Sequence, residues 1–250
     1  GNTQVASFDW SPYSGGNVTA ALLAANNAGD LGEAIVLWME EVGLSPGYIQ
    51  ATGHSAGAWF VDGVLDRAAT KMPGAFRHGS VWDAFVPGFG VSRVGQASFA
   101  MLDNASYAEH VVDTFAAVAG TNESFANTFN LDVTPIYQGG PGDPVQHHSW
   151  PYRWYRDTAL VPTNEDLTIF GLFGFPWSLA GSGSLPGYNG NHPQGGTVQI
   201  RGPRQAVLLG APTNYTTPNP MNNFAHITDG DVQFETDGSA TLTTASPAML

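Results

Sequence analysis

The chain has 250 residues, enough for one large domain with a substantial core, and its apolar content of 42% excludes a disordered or collagen-like protein. Its net charge of −13, from 21 acidic residues against 8 basic ones, argues against non-specific binding to nucleic acid or to anionic membrane surfaces. Because it has no cysteine, it forms neither disulfides nor thiolate metal sites. No segment has the length and apolarity of a transmembrane span.

The first half of the chain alternates between strand and helix patterns. The predicted elements are a buried strand at 4–8, a helix at 19–42 with interruptions at Gly29 or Gly32, a strand at 48–52, a helix at 58–70 and a strand at 80–87. Gly43 directly follows the first helix and is typical of a helix stop. This order and spacing predict an α/β fold with a mostly parallel sheet and helices on both faces.

The second half is less regular, and its elements are shorter. The predicted elements are a strand at 110–115, a loop at 139–144, an aromatic-rich helix at 148–158 and β-like runs at 197–201, 206–209, 232–236 and 240–243. No internal repeat or clean linker is present. We therefore predict a main domain over residues 1–195 and a β-rich C-terminal extension over residues 196–250, packed on the same domain.

The composition also predicts a secreted or extracellular protein. Gly, Asn, Thr and Pro are frequent, whereas charged residues make up only 12% of the chain. Asn-x-Ser/Thr sequons, the acceptors of N-glycosylation, begin at Asn17, Asn104, Asn122 and Asn214, although an Asn-rich chain also contains such tripeptides by chance. The acidity itself is interpreted as favouring solubility.

The pentapeptide from Gly53 to Gly57 matches Gly-x-Ser-x-Gly, with Ser55 at its centre. It lies between a predicted strand and a predicted helix, which is the layout of a nucleophile elbow. The glycines are needed there because the tight turn brings the strand and the helix close together. In a chain with 31 glycines the same pattern also arises by chance as an ordinary turn. The role of Ser55 therefore depends on whether an acid and a base accompany it.

A serine hydroxyl attacks a carbonyl only when a base takes its proton, and the base needs an acid to hold its tautomer. In α/β-hydrolases the chain order is Ser, then Asp or Glu, then His. Asp83 fits the position of the acid after a later strand, although an aspartate there also fits a simple turn. His147 and His148, predicted in a loop before a late helix, fit the base. The remaining histidines are interpreted as surface or packing residues: His54, His78, His110, His192 and His226.

Several segments in the same order resemble the animal-type (pancreatic-type) lipase family of α/β-hydrolases, which includes phospholipases A1, lipoprotein lipases and catalytically inactive yolk proteins. The similar segments are 7–10, 47–58, 82–84, 108–114, 136–140 and 148–155. The last is the most specific, because the family's His-x-x-x-Tyr-x-Tyr-Tyr is similar to the run from His148 to Tyr155. That similarity selects His148 over His147 as the base.

The resemblance implies an α/β-hydrolase (lipase-like) domain over residues 1–195 and a secreted serine carboxylic-ester hydrolase: a triacylglycerol lipase, a phospholipase A1 or an esterase. It implies Ser55 as the nucleophile, Asp83 as the acid, His148 as the base and the backbone amide of Ala56 as an oxyanion donor. The substrate is expected to be a lipid or a small ester, without a cofactor and without nucleic acid. No metal site is predicted, and calcium near Asp103 is left open.

The chain also departs from the family. The family's first strands, and the loop that donates the second oxyanion amide, have no counterpart in residues 1–250. The second donor is therefore expected outside this chain, in an upstream segment or in a non-covalently bound N-terminal chain, and residues 1–250 alone are expected to be neither fully stable nor fully active. Only the ten residues from Gln138 to His147 are available for a lid before His148. Such a short lid favours a phospholipase A1-like or esterase-like enzyme by resemblance.

Two alternatives remain open. A non-catalytic lipase-like protein that binds lipid or has a structural role would keep the same fold, although retention of Ser, Asp and His in order argues against it. A peptidase or polyester depolymerase on the same scaffold would differ only in its pocket.

Overall fold

The computed structural model describes residues 4–7, 18–86, 101–115, 120–121, 124–125, 127–137, 139, 142–159, 197–202, 205–209, 230–234 and 240–244. Its helices are α1 (Val18–Glu41), α2 (Ala58–Lys71) and α3 (Pro144–Ala159). Its strands are β1 (Tyr48–His54), β2 (Phe76–Trp82), β3 (Tyr107–Val112), β4 (Phe129–Asp132), β5 (Thr197–Gly202), β6 (Gln205–Leu209), β7 (Gly230–Phe234) and β8 (Ala240–Thr244). Among the described residues, no helix is apolar over a long enough stretch to cross a membrane.

The strands form one sheet in the order β1-β2-β3-β4-β5-β6-β8-β7. Strands β1 to β5 pair in parallel, and β5 to β8 pair antiparallel. This parallel sheet with helices confirms the predicted α/β class. The register aligns His54 with Trp82 and Trp82 with Val111, so the carboxyl ends of β1, β2 and β3 lie level at one edge. Ligands and reacting groups of open α/β sheets lie at this edge.

Helix α1 begins the helical layer on one face of the sheet. Its buried side chains include Ala24, Ala28 and Val36, which pack in the same core as α2. The helix ends in a Schellman motif: Gly43 has φ of 76°, and the Leu44 amide donates to the Met39 carbonyl at 2.8 Å. Glycine suits this position because other residues rarely adopt a positive φ.

Glycines allow α1 and α2 to lie unusually close. A Cβ on Gly32 would collide with the Phe60 carbonyl oxygen, and a Cβ on Gly63 would collide with the Gly29 carbonyl oxygen. The predicted interruption of α1 at Gly29 or Gly32 is wrong, because α1 is continuous through both. These glycines serve the crossing of the two helices rather than a break.

The two faces of the sheet have different cores. The face under α1 and α2 is apolar, with Ile49 and Val81 packed in one cluster with Trp59. The face under α3 contains the fully buried Glu109, and Tyr155 of α3 donates to its Oε1 at 3.1 Å. Two hydroxyls of the sheet also donate to this carboxylate, that of Ser80 at 2.8 Å and that of Tyr107 at 3.1 Å, and Nε2 of His78 lies 3.7 Å from its Oε1. A buried carboxylate is tolerated when its oxygens are hydrogen-bonded, and here the bonds fix α3 on the sheet.

The N-terminal strand prediction is wrong over the residues described. Residues 4–7 form no strand, and Val5 is 91% exposed. A short apolar run becomes a strand only where a neighbouring strand supplies hydrogen-bond partners, and β1 takes its described partner from β2 alone. Phe8, Asp9 and Trp10 lie outside the described residues.

Several predicted boundaries differ from the structure, among them that of strand β3, which covers Tyr107–Val112 instead of residues 110–115. Strand β2 begins at Phe76 instead of residue 80 and ends at Trp82, because Asp83 has φ of 42° and stops the extended run. Helix α3 begins at Pro144, since the Asp143 carboxylate accepts from the Val145 amide at 3.0 Å and caps the helix. The prediction that His147 and His148 lie in a loop is therefore wrong.

Two other regions were predicted less completely. Strand β4 was not predicted at all, because Gly and Asn dominate its neighbourhood. The residue ranges of strands β5 to β8 overlap the four predicted β-like runs, and these strands continue the same sheet. The boundary between residues 195 and 196 falls outside the described part of the chain and stays a prediction.

Candidate active site

Ser55 lies in the turn between β1 and α2. Strand β1 ends at His54, a 3-10 turn covers Ser55–Gly57, and α2 begins at Ala58. The φ of Ser55 is 57°, an uncommon conformation for a residue with a Cβ and one that stores strain. A Cβ on Gly53 would collide with the Gly57 carbonyl oxygen, so this position requires glycine. The predicted arrangement of strand, tight turn and helix is present.

The structure brings Ser55, His148 and Asp83 together. The Oγ atom of Ser55 lies 2.8 Å from Nε2 of His148, and Nδ1 of His148 lies 2.6 Å from Oδ2 of Asp83. Because a carboxylate only accepts, the N–H at Nδ1 donates a hydrogen bond to Asp83. In the neutral imidazole Nε2 is then the nitrogen without a proton, and it can accept from the hydroxyl of Ser55. The three groups are thus oriented as a nucleophile, a base and an acid.

Asp83 is held from several directions. It is 1% exposed, and its Oδ1 accepts from the Asp113 amide at 3.0 Å. Burial raises the pKa of Asp83, while the hydrogen bonds from His148 and from the Asp113 amide act in the opposite direction. Two residues further, the Phe85 amide donates to the Ser55 carbonyl at 3.1 Å, which links the segment after Asp83 directly to the elbow.

His54 contacts the base from the elbow side. Its Nε2 donates to the backbone carbonyl of His148 at 2.8 Å, and the centroids of the two rings are 4.6 Å apart. Burial lowers the pKa of His54 to about 4. The interpretation of His54 as a packing residue missed this hydrogen bond, which supports the backbone of His148. The signal in the sequence was only the adjacency of His54 to Ser55.

A second histidine and carboxylate pair lies beside the first. Nδ1 of His147 is 2.7 Å from Oδ2 of Asp113, and both side chains are buried. The ring of His147 stacks between Phe115 and Tyr137, with centroid distances of 4.2 and 3.8 Å. Sequence reasoning considered His147 only as an alternative base and did not select Asp113. The sequence offered only the two consecutive histidines, because Asp113 lies inside the strand predicted at 110–115.

The remaining site predictions concern the oxyanion donors and calcium. Ala56 is buried and lies in the turn that leads to α2, and its role as a donor stays a prediction, as does the second donor. Asn104 donates to the side chains of Asp66 and Asp103 at 3.0 and 2.9 Å. Within the part of the chain that the structure describes, no group of three or more His, Cys, Asp or Glu side chains could hold a metal ion.

Of the other predicted packing residues, His78 and His110 are fully buried, whereas His192 and His226 lie outside the described residues. Nε2 of His110 accepts from the Ala84 amide at 3.2 Å, and its ring stacks on Phe125 at 4.4 Å. Burial lowers the pKa of His110 to about 3. His110 therefore supports, as a neutral residue, the backbone that follows Asp83.

Stability is expected to fall as the pH drops from about 6.5 towards 4. In this range the unfolded chain protonates His54 and His110, whereas the folded protein keeps them neutral at pKa values of about 4 and about 3. Each unit of pKa difference is worth about 1.4 kcal/mol, so the two residues together should lower the free energy of unfolding by a few kcal/mol. Urea unfolding at about pH 7 and about pH 4.5 measures this loss.

A matched variant for this measurement is His54→Gln. The glutamine amide nitrogen reaches as far as Nε2 and can donate to the His148 carbonyl, but it does not titrate. Its free energy of unfolding should therefore depend less on pH than that of the wild type. Equal stability of the wild type at both pH values would contradict the prediction.

Comparisons of the chain with protein-family models, with curated proteins and with solved structures find no match. The chemistry of the site is therefore inferred from the positions of its own residues.

Proposed function

We propose that this protein is a serine carboxylic-ester hydrolase with an α/β-hydrolase fold, acting by acyl transfer through Ser55. The supporting observation is the continuous hydrogen-bonded chain from Asp83 through His148 to Ser55, with distances of 2.6 and 2.8 Å. Ser55 and Asp83 directly follow two neighbouring strands, and His148 lies in α3, 93 positions after Ser55. An acid, a base and a serine joined in this order can activate the serine hydroxyl as a nucleophile.

In the proposed mechanism, the Ser55 Oγ attacks the ester carbonyl while Nε2 of His148 takes its proton. Asp83 stabilises the imidazolium that forms, and the Ala56 amide donates to the oxyanion of the tetrahedral intermediate. His148 then gives the proton to the leaving alcohol, which leaves an acyl group on Ser55. His148 then takes a proton from water as the water attacks the acyl carbon, and it returns this proton to the Ser55 Oγ when the bond to the acyl group breaks and the carboxylic acid leaves.

The proposed substrates are lipids or small esters, and the proposed type is that of a secreted lipase, phospholipase A1 or esterase. Apolar surface close to the base supports an apolar acyl group. Phe115, which stacks on His147 next to His148, is 47% exposed, and Val145 at the start of α3 is 70% exposed. These side chains lie on the segments that carry the site, where an acyl chain would gain by covering them.

Labelling with a fluorophosphonate tests the proposal, because this reagent phosphonylates only a serine that a base activates. Mass spectrometry is expected to find the adduct on the peptide that contains Ser55. The variant Ser55→Ala and the urea-unfolded protein serve as controls and should give no adduct. A folded wild-type protein without an adduct would contradict the proposal and favour the non-catalytic, lipid-binding alternative.

A further inference from the structure

Two consecutive histidines at the start of α3 face two aspartates at the ends of neighbouring strands. His148 pairs with Asp83 after β2, and His147 pairs with Asp113 after β3. We propose that Asp113 and His147 are a positioning pair, which holds the acid Asp83 and the base His148 in register with Ser55. This inference rests on the proposed function and adds two residues to it.

Asp113 binds the acid Asp83 and His147, the neighbour of the base, through different groups. Its backbone amide donates to Oδ1 of Asp83 at 3.0 Å, while its own Oδ2 accepts from Nδ1 of His147 at 2.7 Å. Its Oδ1 accepts from the Phe115 amide at 2.9 Å, so the carboxylate cannot turn without breaking a bond. One residue thus fixes the carboxylate of the acid and the residue next to the base.

His147 determines how α3 is rotated on the sheet. Consecutive helix residues point about 100° apart, so His147 and His148 diverge and reach different strand ends. The ring of His147 cannot tilt freely because Phe115 and Tyr137 stack on its two faces, with interplanar angles of 20° and 26°. A rotation of the first turn of α3 that moved His148 away from Ser55 would therefore also break the bond between His147 and Asp113.

Small displacements matter here because the reacting groups must be held within a fraction of an ångström. A shift of about 1 Å in a reacting group costs about 100-fold in rate. The rest of the first turn of α3 is held at the surface, where Asp143 accepts from the Gln146 amide at 3.3 Å and from its side chain at 3.0 Å. The buried pair is therefore the stronger constraint on His148.

Two substitutions of His147 distinguish the effect of its hydrogen bond to Asp113 from the effect of its aromatic packing. In His147→Asn the amide nitrogen lies as many bonds from Cα as Nδ1 does, so it can donate to Asp113, but the aromatic stack is lost. In His147→Phe the stack is kept and the donor is lost. We expect kcat for a soluble ester to fall by about threefold in His147→Asn and by about 10- to 100-fold in His147→Phe, with KM unchanged in both. The reverse order would overturn the proposal.

Gln146→Ala is the matched control for a disturbed helix start. It perturbs the same turn of α3 from its exposed side and leaves the bond between His147 and Asp113 in place. Its kcat is expected to equal that of the wild type within about twofold. A loss as large as that of His147→Phe would assign the effect to the helix turn as a whole and overturn the specific role of His147.

A readout independent of activity distinguishes failure of this inference from failure of the proposed function. In protein labelled with ¹⁵N-histidine, the Nδ1 proton of His148 should give a far-downfield NMR resonance because of its bond to Asp83. His147→Phe is expected to shift this resonance and to speed its exchange with water, whereas His147→Asn leaves it in place. An unchanged resonance in His147→Phe, or its absence from the wild type, would overturn the inference. A shifted resonance in a protein that fluorophosphonate does not label would retain the positioning pair and reject the hydrolase.

Discussion

Replacing His148 with alanine is expected to lower kcat for ester hydrolysis by about 10⁶-fold, whereas His147→Ala should lower it by about 100-fold. Nε2 of His148 is the nitrogen that lies 2.8 Å from the Ser55 Oγ, so its removal leaves the serine without a base. His147 uses its Nδ1 to bind Asp113, and in the role proposed for it His147 acts through position. Steady-state hydrolysis of a soluble ester such as p-nitrophenyl butyrate gives kcat and KM for both variants.

His147→Ala and His148→Ala serve as controls for each other, because both remove a histidine from the same turn of α3. The His148 side chain is 18% exposed and that of His147 is 7% exposed, so a loss of packing would affect His147→Ala more. A loss of catalysis without a loss of fold should therefore distinguish His148→Ala, and thermal unfolding of both variants checks this. If both variants stayed folded and His147→Ala lost more kcat than His148→Ala, the assignment of His148 as the base would be wrong.

The elbow was predictable because its determinants are local. Five consecutive residues carry the motif, and the steric reason for its glycines is a contact between Gly53 and Gly57, only four positions apart. The left-handed φ of Ser55 follows from the same tight turn. Nothing from a distant part of the chain is needed to form this geometry.

The start of α3 was predictable in principle but was placed too late. Asp143 and Gln146 stand three positions apart and bind each other, which is the spacing of a capping box. The glycine- and proline-rich composition of residues 139–144 favoured a loop and concealed that signal. Once the helix starts at Pro144, His147 and His148 lie in a regular helical turn and diverge towards two strands.

The second pair could not be predicted from the sequence. Asp113 and His147 are 34 positions apart, and their contact requires β3 to lie next to β2 and α3 to have one particular rotation. His54 and the His148 carbonyl are 94 positions apart and depend on the same arrangement. Residue spacing contains no information on strand order or helix rotation, so such contacts follow only from the assembled sheet.

The substitution Asp83→Asn is expected to lower kcat by about 10⁴-fold without lowering the melting temperature. The Asp113 amide donates to Oδ1 of residue 83 and requires an oxygen there, so the amide NH₂ of an asparagine must face Nδ1 of His148. That nitrogen then has to accept, and the imidazole proton moves to Nε2. A protonated Nε2 cannot take the proton of Ser55, although the positions of all three side chains are kept.

Asp113→Asn is the matched control, since it makes the same change at the end of the neighbouring strand. There the amide NH₂ can likewise donate to Nδ1 of His147, which keeps its position, so kcat should stay within about tenfold of the wild type. Equal losses of kcat in the two variants would mean that Asp83 is not the acid that sets the tautomer of His148.

The melting temperature of Asp83→Asn shows whether the loss of kcat comes from lost catalysis or from a less stable fold. Burial raises the pKa of Asp83, which means that its charge disfavours the folded state at neutral pH. Asparagine has the same shape and no charge, so it removes this cost. We therefore expect Asp83→Asn to be as stable as the wild type and nearly inactive. That result would show that the carboxylate of Asp83 is needed for catalysis and not for stability.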